Sequence, residues 1–403
     1  MVSEYCECRA DPNDWRVTVV GWGSPDDPKT SSGYARHLSI ALRNHGHLRT
    51  TVSAKSVGWA DVLQGAIAPI CQGSWPGLCV RRAWMWSERG VEQLSRRLDA
   101  RIRSIGDKGP FLQVGTLVRI DSSHGPHLMR TDMTIAQARR AGHFAIANLA
   151  QHKLDAAERL QQSILREASH VIAASQWTAE SLEEDCGVPK QRITVVYTGG
   201  NLQIPVGISQ ARNDREILFV GLDWKRKGGP LLLEAFSVVR RELKDATLRI
   251  VGCAPRIRTN GVIVEGFLDK RNPRHYERLV RAYLRASCFC LPTFFDPFPN
   301  VIVEAAAAGL ASVAIDNGSR REAIDDGVTG KLAETASPEA LAAALIYVLK
   351  DSGRSREMGA AAKRCAESKF SWPSAVEKIG RIVLSVSNEP KDMDVVPSEC
   401  LKQ

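Results

Sequence analysis

The stretch PTFFDPFPNVIVEAAAAGLASVAI, Pro292 to Ile315, carries the reading of the fold. An apolar run, Cys288 to Leu291, ends at Pro292, and a turn crowded with Pro and Phe follows. Pro299 suits the first position of a helix and Gly309 its C-terminal stop, so the pattern predicts a helix between them and a buried strand over Ala311 to Ile315. Strand, helix and strand in that order make a parallel crossover unit. In an open parallel sheet the N-terminus of such a helix faces the crevice beyond the strand ends, where its unpaired N–H groups and partial positive charge suit an anion. Asp296 lies just before the helix and Glu304 inside it, and a Glu set among Val and Ala is badly placed to be an ordinary solvated side chain.

The same alternation extends in both directions. Strands are expected at Glu216 to Val220, Thr247 to Val251 and Val262 to Glu265, each running into a helix or a Gly/Pro loop. In the first half, RVTVVGWG after Trp15 reads as a buried strand that meets glycines. From Ser31 a capped helix is expected, with Tyr34, Leu38, Ala41 and Leu42 on one face. Further strands are expected at Leu112 to Val118, His170 to Ala174 and Ile193 to Tyr197. The segment TGGNLQIPVGISQARND reads as a linker, so the chain divides into a leader (1–14), two α/β Rossmann-like domains with parallel sheets (15–205 and 206–370), a helix (371–386) and a disordered tail (387–403).

Composition bounds the partners. A chain of 403 residues with 44% hydrophobic and 25% charged residues buries a sizeable core and fits two or three domains, which excludes a small stapled module and wholesale disorder. The net charge of +9 and the sequence pI of about 9.1 favour an acidic partner: a nucleotide, a nucleic acid or an anionic membrane face. No interleaving of aromatic and basic residues speaks for nucleic acid. Ten cysteines, several inside apolar runs (Cys253, Cys288, Cys290), read as reduced thiols, and Cys6 and Cys8 as ordinary free cysteines rather than a zinc site. The first residues lack the pattern of a signal peptide, and the small-apolar run Val301 to Ile315 is too short to span a bilayer. The expectation is a cytoplasmic protein whose membrane contact, if any, is peripheral. The segment Leu94 to Ile105 offers one such surface, with Leu94, Leu98, Ile102 and Ile105 on one face and Arg96, Arg97, Arg101 and Arg103 around the other; the plainer alternative is a solvated helix over the core.

The residues from Asp296 to Ala305, D-P-F-P-N-V-I-V-E-A, resemble the signature of the retaining nucleotide-sugar glycosyltransferases of the GT-B fold, glycosyltransferase family 4 (glycosyl transferases group 1): two acidic residues flanking seven others, then a small-residue helix and Gly. The resemblance extends through DNGSRREAIDDGVTGKLA (Asp316 to Ala333), FVGLDWKRKGGPLLLEAF (Phe219 to Phe236) and IVGCAP (Ile250 to Pro255). It implies two Rossmann-like domains facing a central cleft, with a C-terminal helix, Phe370 to Leu384, crossing back to the first domain. It implies transfer of a sugar from a nucleoside-diphosphate donor to a hydroxyl acceptor (a glycan, a lipid-linked sugar or a small molecule), with no metal and no cofactor beyond the donor as co-substrate. A nucleotide-sugar epimerase and a non-catalytic nucleotide-sugar binder are the alternatives.

Carried over residue by residue, the resemblance assigns Glu304 to the donor ribose, Asp296 to hydroxyls of the transferred sugar and Lys227 to the diphosphate. Backbone N–H groups of Phe298, Asn300 and Val301 meet sugar and phosphate, and the segment Gly266, Phe267, Leu268 meets the base. Gly33, with Gly21 and Gly23, lets the first domain's backbone approach the diphosphate. Leu222 stands where the family has an Arg, with Lys225 or Arg226 as replacement cations. Met133 stands at the family's catalytic His; beside it Asp132 either takes the polar role near the attacking hydroxyl or caps the next helix, and His124 and His127 are loop alternatives.

Overall fold

The protein is described by a computed structural model, in which residues 15–27, 33–54, 86–142, 146, 149–204 and 212–388 are described. The leader with Cys6 and Cys8, the centre of the linker, Ser31 and Ser32, and the tail from 389 lie outside these residues.

Two six-stranded sheets, parallel throughout, organise the chain. The first holds β1 (Val17–Gly21), β2 (Leu48–Ser53), β3 (Phe111–Val114), β4 (His127–Thr131), β5 (His170–Ala173) and β6 (Ile193–Val195), in the order β2-β1-β3-β4-β5-β6. The second holds β7 (Glu216–Val220), β8 (Thr247–Val251), β9 (Val262–Gly266), β10 (Cys288–Leu291), β11 (Ala311–Ile315) and β12 (Gly330–Ala333), in the order β12-β11-β10-β7-β8-β9. Central strands such as β7, β10 and β11 are buried along their whole length because helices cover both faces, which is why they read as unbroken apolar runs. In the second sheet the strand order reverses between β7 and β10. Ligands of open α/β sheets bind in the crevice at such a reversal, so the loops that leave β7 and β10 frame the site.

Several expectations are corrected. The strand expected over Leu112 to Val118 ends at Val114, because Gly115 turns the chain at φ 88°. The helix expected from Ser31 begins at Tyr34, and Gly33, left-handed at φ 82°, takes the cap position with no side-chain bond. Strands β2, β4 and β12 have no apolar run to announce them; β2 and β12 are edges, and β4 carries His127, Arg130 and Thr131 into a buried position. The Arg-rich helix spans Glu88–Ile105, and its Val91, Leu94, Leu98 and Ile102 are buried. Leu94, Leu98 and Ile102 pack with Val20, Val52 and Phe111, so three of the four residues of the apolar face are spent on the core and only Ile105 is exposed.

The last helix runs Trp372–Asn388 and links the halves. Phe370 packs in the core of the second sheet, whereas Ala375, Val376, Ile379, Ile382, Val383 and Val386 join Trp15, Val17, Tyr34 and Leu38 in that of the first. Each buried Val or Ile contributes roughly 1.5–3 kcal/mol, so the helix is a firm tie. A second link is Glu322, whose carboxylate accepts from the N–H groups of Gln176 (2.6 Å) and Trp177 (2.9 Å) and from the Tyr197 hydroxyl (2.7 Å). Two orphan donors at the start of the helix Gln176–Glu184 are thereby satisfied from the opposite half.

Candidate functional site

The loops after β7 and β10 bring Lys227 against Asp296, whose carboxylate accepts from Nζ in a close ion pair. Gly228 permits the approach: it is left-handed at φ 79°, and a Cβ there would lie 1.9 Å from the Pro292 carbonyl oxygen. The carbonyls of the Asp296 loop are held inward. Arg320 donates to those of Asp296 (2.8 Å) and Thr293 (3.1 Å), Asn317 to that of Phe294 (2.8 Å) and Ser319 to that of Pro297 (2.5 Å). Arg320 is 1% exposed, and burial draws its pKa down to about 10, which still leaves it charged at neutral pH. Neither it nor Asn317 was legible as a site residue, since DNGSRR does not reveal which of its two arginines turns inward.

The loop leads into the helix Asn300–Ala307, whose N-cap Pro299 supplies no side-chain bond. The N–H groups of Asn300 and Val301 thus stand at an uncapped helix start beside Lys227 and Asp296. Phe298 instead sends its ring inward, between Tyr197 and Phe370 at centroid distances of 5.6 and 5.7 Å. Glu304, 2% exposed, accepts from the buried Tyr283 hydroxyl (3.0 Å) and from Lys270 Nζ (3.1 Å). Gly200 lies over it so closely that a Cβ would be 2.9 Å from the Glu304 Cγ. Lys270 arrives from the loop after β9; Gly266, which ends the strand, is left-handed, Phe267 is 62% exposed and Leu268 is buried. The segment assigned to a base and the carboxylate assigned to a ribose therefore meet through Lys270. Tyr283 lies in the last turn of the helix Pro273–Arg285, with nothing in the surrounding sequence to distinguish it from a core aromatic.

Leu222 is 72% exposed at the same rim. Lys225 is exposed, and Arg226 pairs with Asp223 at 3.9 Å.

The first sheet supplies the opposite wall. Thr134 caps the helix Ile135–Arg140 through a capping box with Gln137, so Asp132 does not serve as that cap. Asp132 is exposed to water at the cleft, although the protein crowds its carboxylate. This crowding pushes its pKa up, with Arg130 opposing and Asp296 adding repulsion from across the cleft. His37, on the helix that follows Gly33, has its pKa pulled down by burial and by Lys270 and Arg36, against the pull of Glu304. Met133 is half-buried beside the helix Ile135–Arg140.

His124 and His127 are not cleft residues. They sit at and before the N-terminal end of β4, whereas the cleft lies beyond the C-terminal ends, and His127 is a buried strand residue rather than a loop one. Burial pulls the His127 pKa from 6.5 down to about 4. The folded state then binds fewer protons than the unfolded state between these values, so stability is full above pH 6.5 and falls as the pH drops toward 4. Urea denaturation at pH 7 and pH 5 is expected to show about 2 kcal/mol lost through this residue. His127→Gln should remove that part of the slope, and an unchanged slope would refute the assignment.

Two family models match the chain: glycosyltransferase family 4 over residues 109–203 and glycosyl transferases group 1 over residues 214–351, together more than half of it. The chain is 29% identical to D-inositol 3-phosphate glycosyltransferase of Nocardia farcinica over 66% of its own length and 62% of that protein's, so it spans less than two thirds of that relative. It is 26% identical to the enzyme of the same name from Segniliparus rotundus, over 92% of its own length and 89% of the relative's. Among solved structures it resembles the sucrose-phosphate synthase of Thermosynechococcus elongatus (TM-score 0.64, 18% identity, 92% of this chain and 99% of that one). It also resembles Anabaena HepE in complex with UDP and glucose (TM-score 0.61, 17% identity, 92% of this chain and 100% of that one). With two Rossmann-like sheets, a helix crossing back between them and both family models matched in order, the chain belongs to the GT-B glycosyltransferases of family 4 and group 1.

Proposed function

We propose that the protein transfers a sugar from a nucleoside-diphosphate sugar to a hydroxyl acceptor with retention of configuration, without a metal. The observation that carries this is the grouping of Lys227, Asp296, Glu304 and an uncapped helix start where the second sheet reverses its strand order. HepE, of the same fold, has been solved with UDP and glucose in complex.

In the reaction the bond from the anomeric carbon to the β-phosphate oxygen breaks, and its electron pair leaves with the phosphate. A bond from the acceptor oxygen to that carbon forms on the same face, and the acceptor proton passes to the departing phosphate. Negative charge grows on the phosphate, where Lys227 and the N–H groups of Asn300 and Val301 offset it. Asp296 orients sugar hydroxyls, Glu304 takes the ribose by displacing Lys270, Phe267 lies against the base at the rim, and Asp132 stands on the acceptor side. Gly33 opens the first-sheet wall to the diphosphate. The acceptor is a hydroxyl compound, and the site of action is cytoplasmic. Among the described residues no helix is long and apolar enough to cross a membrane.

Thermal unfolding with UDP-, GDP- and ADP-sugars tests the reading. A donor at 100 times its dissociation constant is expected to add about 2.7 kcal/mol of stability, and the same donor should be hydrolysed or transferred. Stabilisation by none of the three would overturn the proposal. Binding with no turnover would favour the non-catalytic binder, the reading to which exposed Leu222 in place of an Arg lends weight.

A further inference from the structure

Arg130 stands at the cleft end of β4, and the roles above do not use it. It is 8% exposed, its guanidinium carbon lies 3.4 Å from the centroid of the Tyr34 ring, and its Nε is buried without a partner. Among the described residues its side chain makes no ion pair and no hydrogen bond. Among the described residues the other two buried arginines have partners for their terminal nitrogens, Arg249 in Glu216 and Glu265 and Arg320 in the carbonyls of Asp296 and Thr293, although the Nε of Arg320 is also buried without one. An unpaired guanidinium is costly to bury, and a stacked tyrosine face recovers only part of that cost. Its position is specific. Tyr34 opens the helix Tyr34–Asn44, which has no side-chain cap and follows left-handed Gly33, so Arg130 and a positive helix start converge on one spot. Asp132 is close enough to both Arg130 and Asp296 to feel their charges, which puts this spot opposite the Lys227–Asp296 pair.

We infer that Arg130, with the start of the Tyr34–Asn44 helix, takes a phosphate oxyanion in the cleft from the first-sheet wall, as the second cation that the other wall lacks at Leu222. The inference rests on the glycosyl-transfer reading. The oxyanion has two possible sources, the donor's diphosphate or a phosphate carried by the acceptor.

Isothermal titration of the full chain with UDP, GDP and ADP, with the matching nucleosides, and with inorganic phosphate added to protein saturated with the nucleoside diphosphate that binds, separates them. If the donor is the source, Arg130→Gln weakens that nucleoside diphosphate about tenfold or more and leaves the nucleoside unchanged. If the acceptor is the source, nucleoside diphosphate binding is unchanged but saturable phosphate binding disappears. In either case Arg130→Lys, which keeps the charge, recovers part of the loss, whereas a purely structural role gives a lowered urea midpoint with anion binding intact. Nucleotide and phosphate binding equal to wild type in Arg130→Gln overturns the inference while the glycosyl-transfer reading stands. Failure of wild type to bind any of the three nucleoside diphosphates removes both.

Discussion

Glu304→Ala is expected to lower sugar transfer and donor hydrolysis at subsaturating donor by about 10- to 150-fold while leaving a folded protein. The carboxylate is buried and makes two bonds, to Tyr283 and Lys270. Truncation leaves the fully buried Tyr283 hydroxyl without an acceptor, at a cost of about 1–3 kcal/mol, while Lys270 turns to water. Against a total stability of about 5–15 kcal/mol the fold survives. Donor affinity suffers more directly. Hydrogen bonds from ribose hydroxyls to a charged carboxylate are worth about 1.5–3 kcal/mol, so binding should weaken by about 10- to 150-fold. Glu304→Gln keeps the shape and an acceptor for Tyr283, and its difference from the alanine variant isolates the charge. Titration calorimetry and a steady-state assay on the same preparations supply both numbers. Transfer at the wild-type rate in the alanine variant would remove this helix from the site.

Lys227→Met is the second large effect, and its signature lies in the kinetics. A cation placed where charge develops stabilises the transition state more than the bound donor, so kcat should fall by about 10²- to 10³-fold with a smaller change in KM. The unliganded ion pair adds a further consequence. Asp296, mostly buried and repelled by Asp132 across the cleft, loses its counter-charge when Lys227 goes. Asp296→Asn in the Lys227→Met background should therefore cost less than Asp296→Asn alone, because the two residues share one interaction. Equal, additive effects in the double-mutant cycle would show that the pair is not coupled in the working enzyme.

Local chemistry in the chain is enough for five of the six strands of the second sheet, β7 to β11, and for the helix that follows Asp296. Apolar runs, Pro299 and Gly309 act within a few residues, and each agrees with the parallel, doubly covered architecture that results. The strands without such signals, β2, β4 and β12, exist because neighbouring strands offer ladder partners, a non-local cause with no trace in LRTTVS, HLMRT or GKLA. The cap alternative at Asp132 falls for the same reason: Thr134 and Gln137 make the cap, and only the tertiary structure brings Asp132 within reach of the charge of Asp296.

The acidic residues, the K-G pair and the helix start at the candidate site could be named from their spacing, because each is a local pattern of charge, glycine and proline. Their partners could not. Lys227 meets Asp296 across 69 positions of sequence, and Trp372 reaches the Gly200 carbonyl across 172. Tyr283, Lys270, Arg320 and Glu322 are ordinary residues in the linear chain and acquire their roles from what lies opposite them. The +9 excess divides along the same line. Composition asks for an anionic partner, but whether an arginine pairs with a carboxylate, as Arg249 does, or stands buried and unmatched, as Arg130 does, depends on desolvation and distance, which exist only once the two sheets have closed on a common cleft.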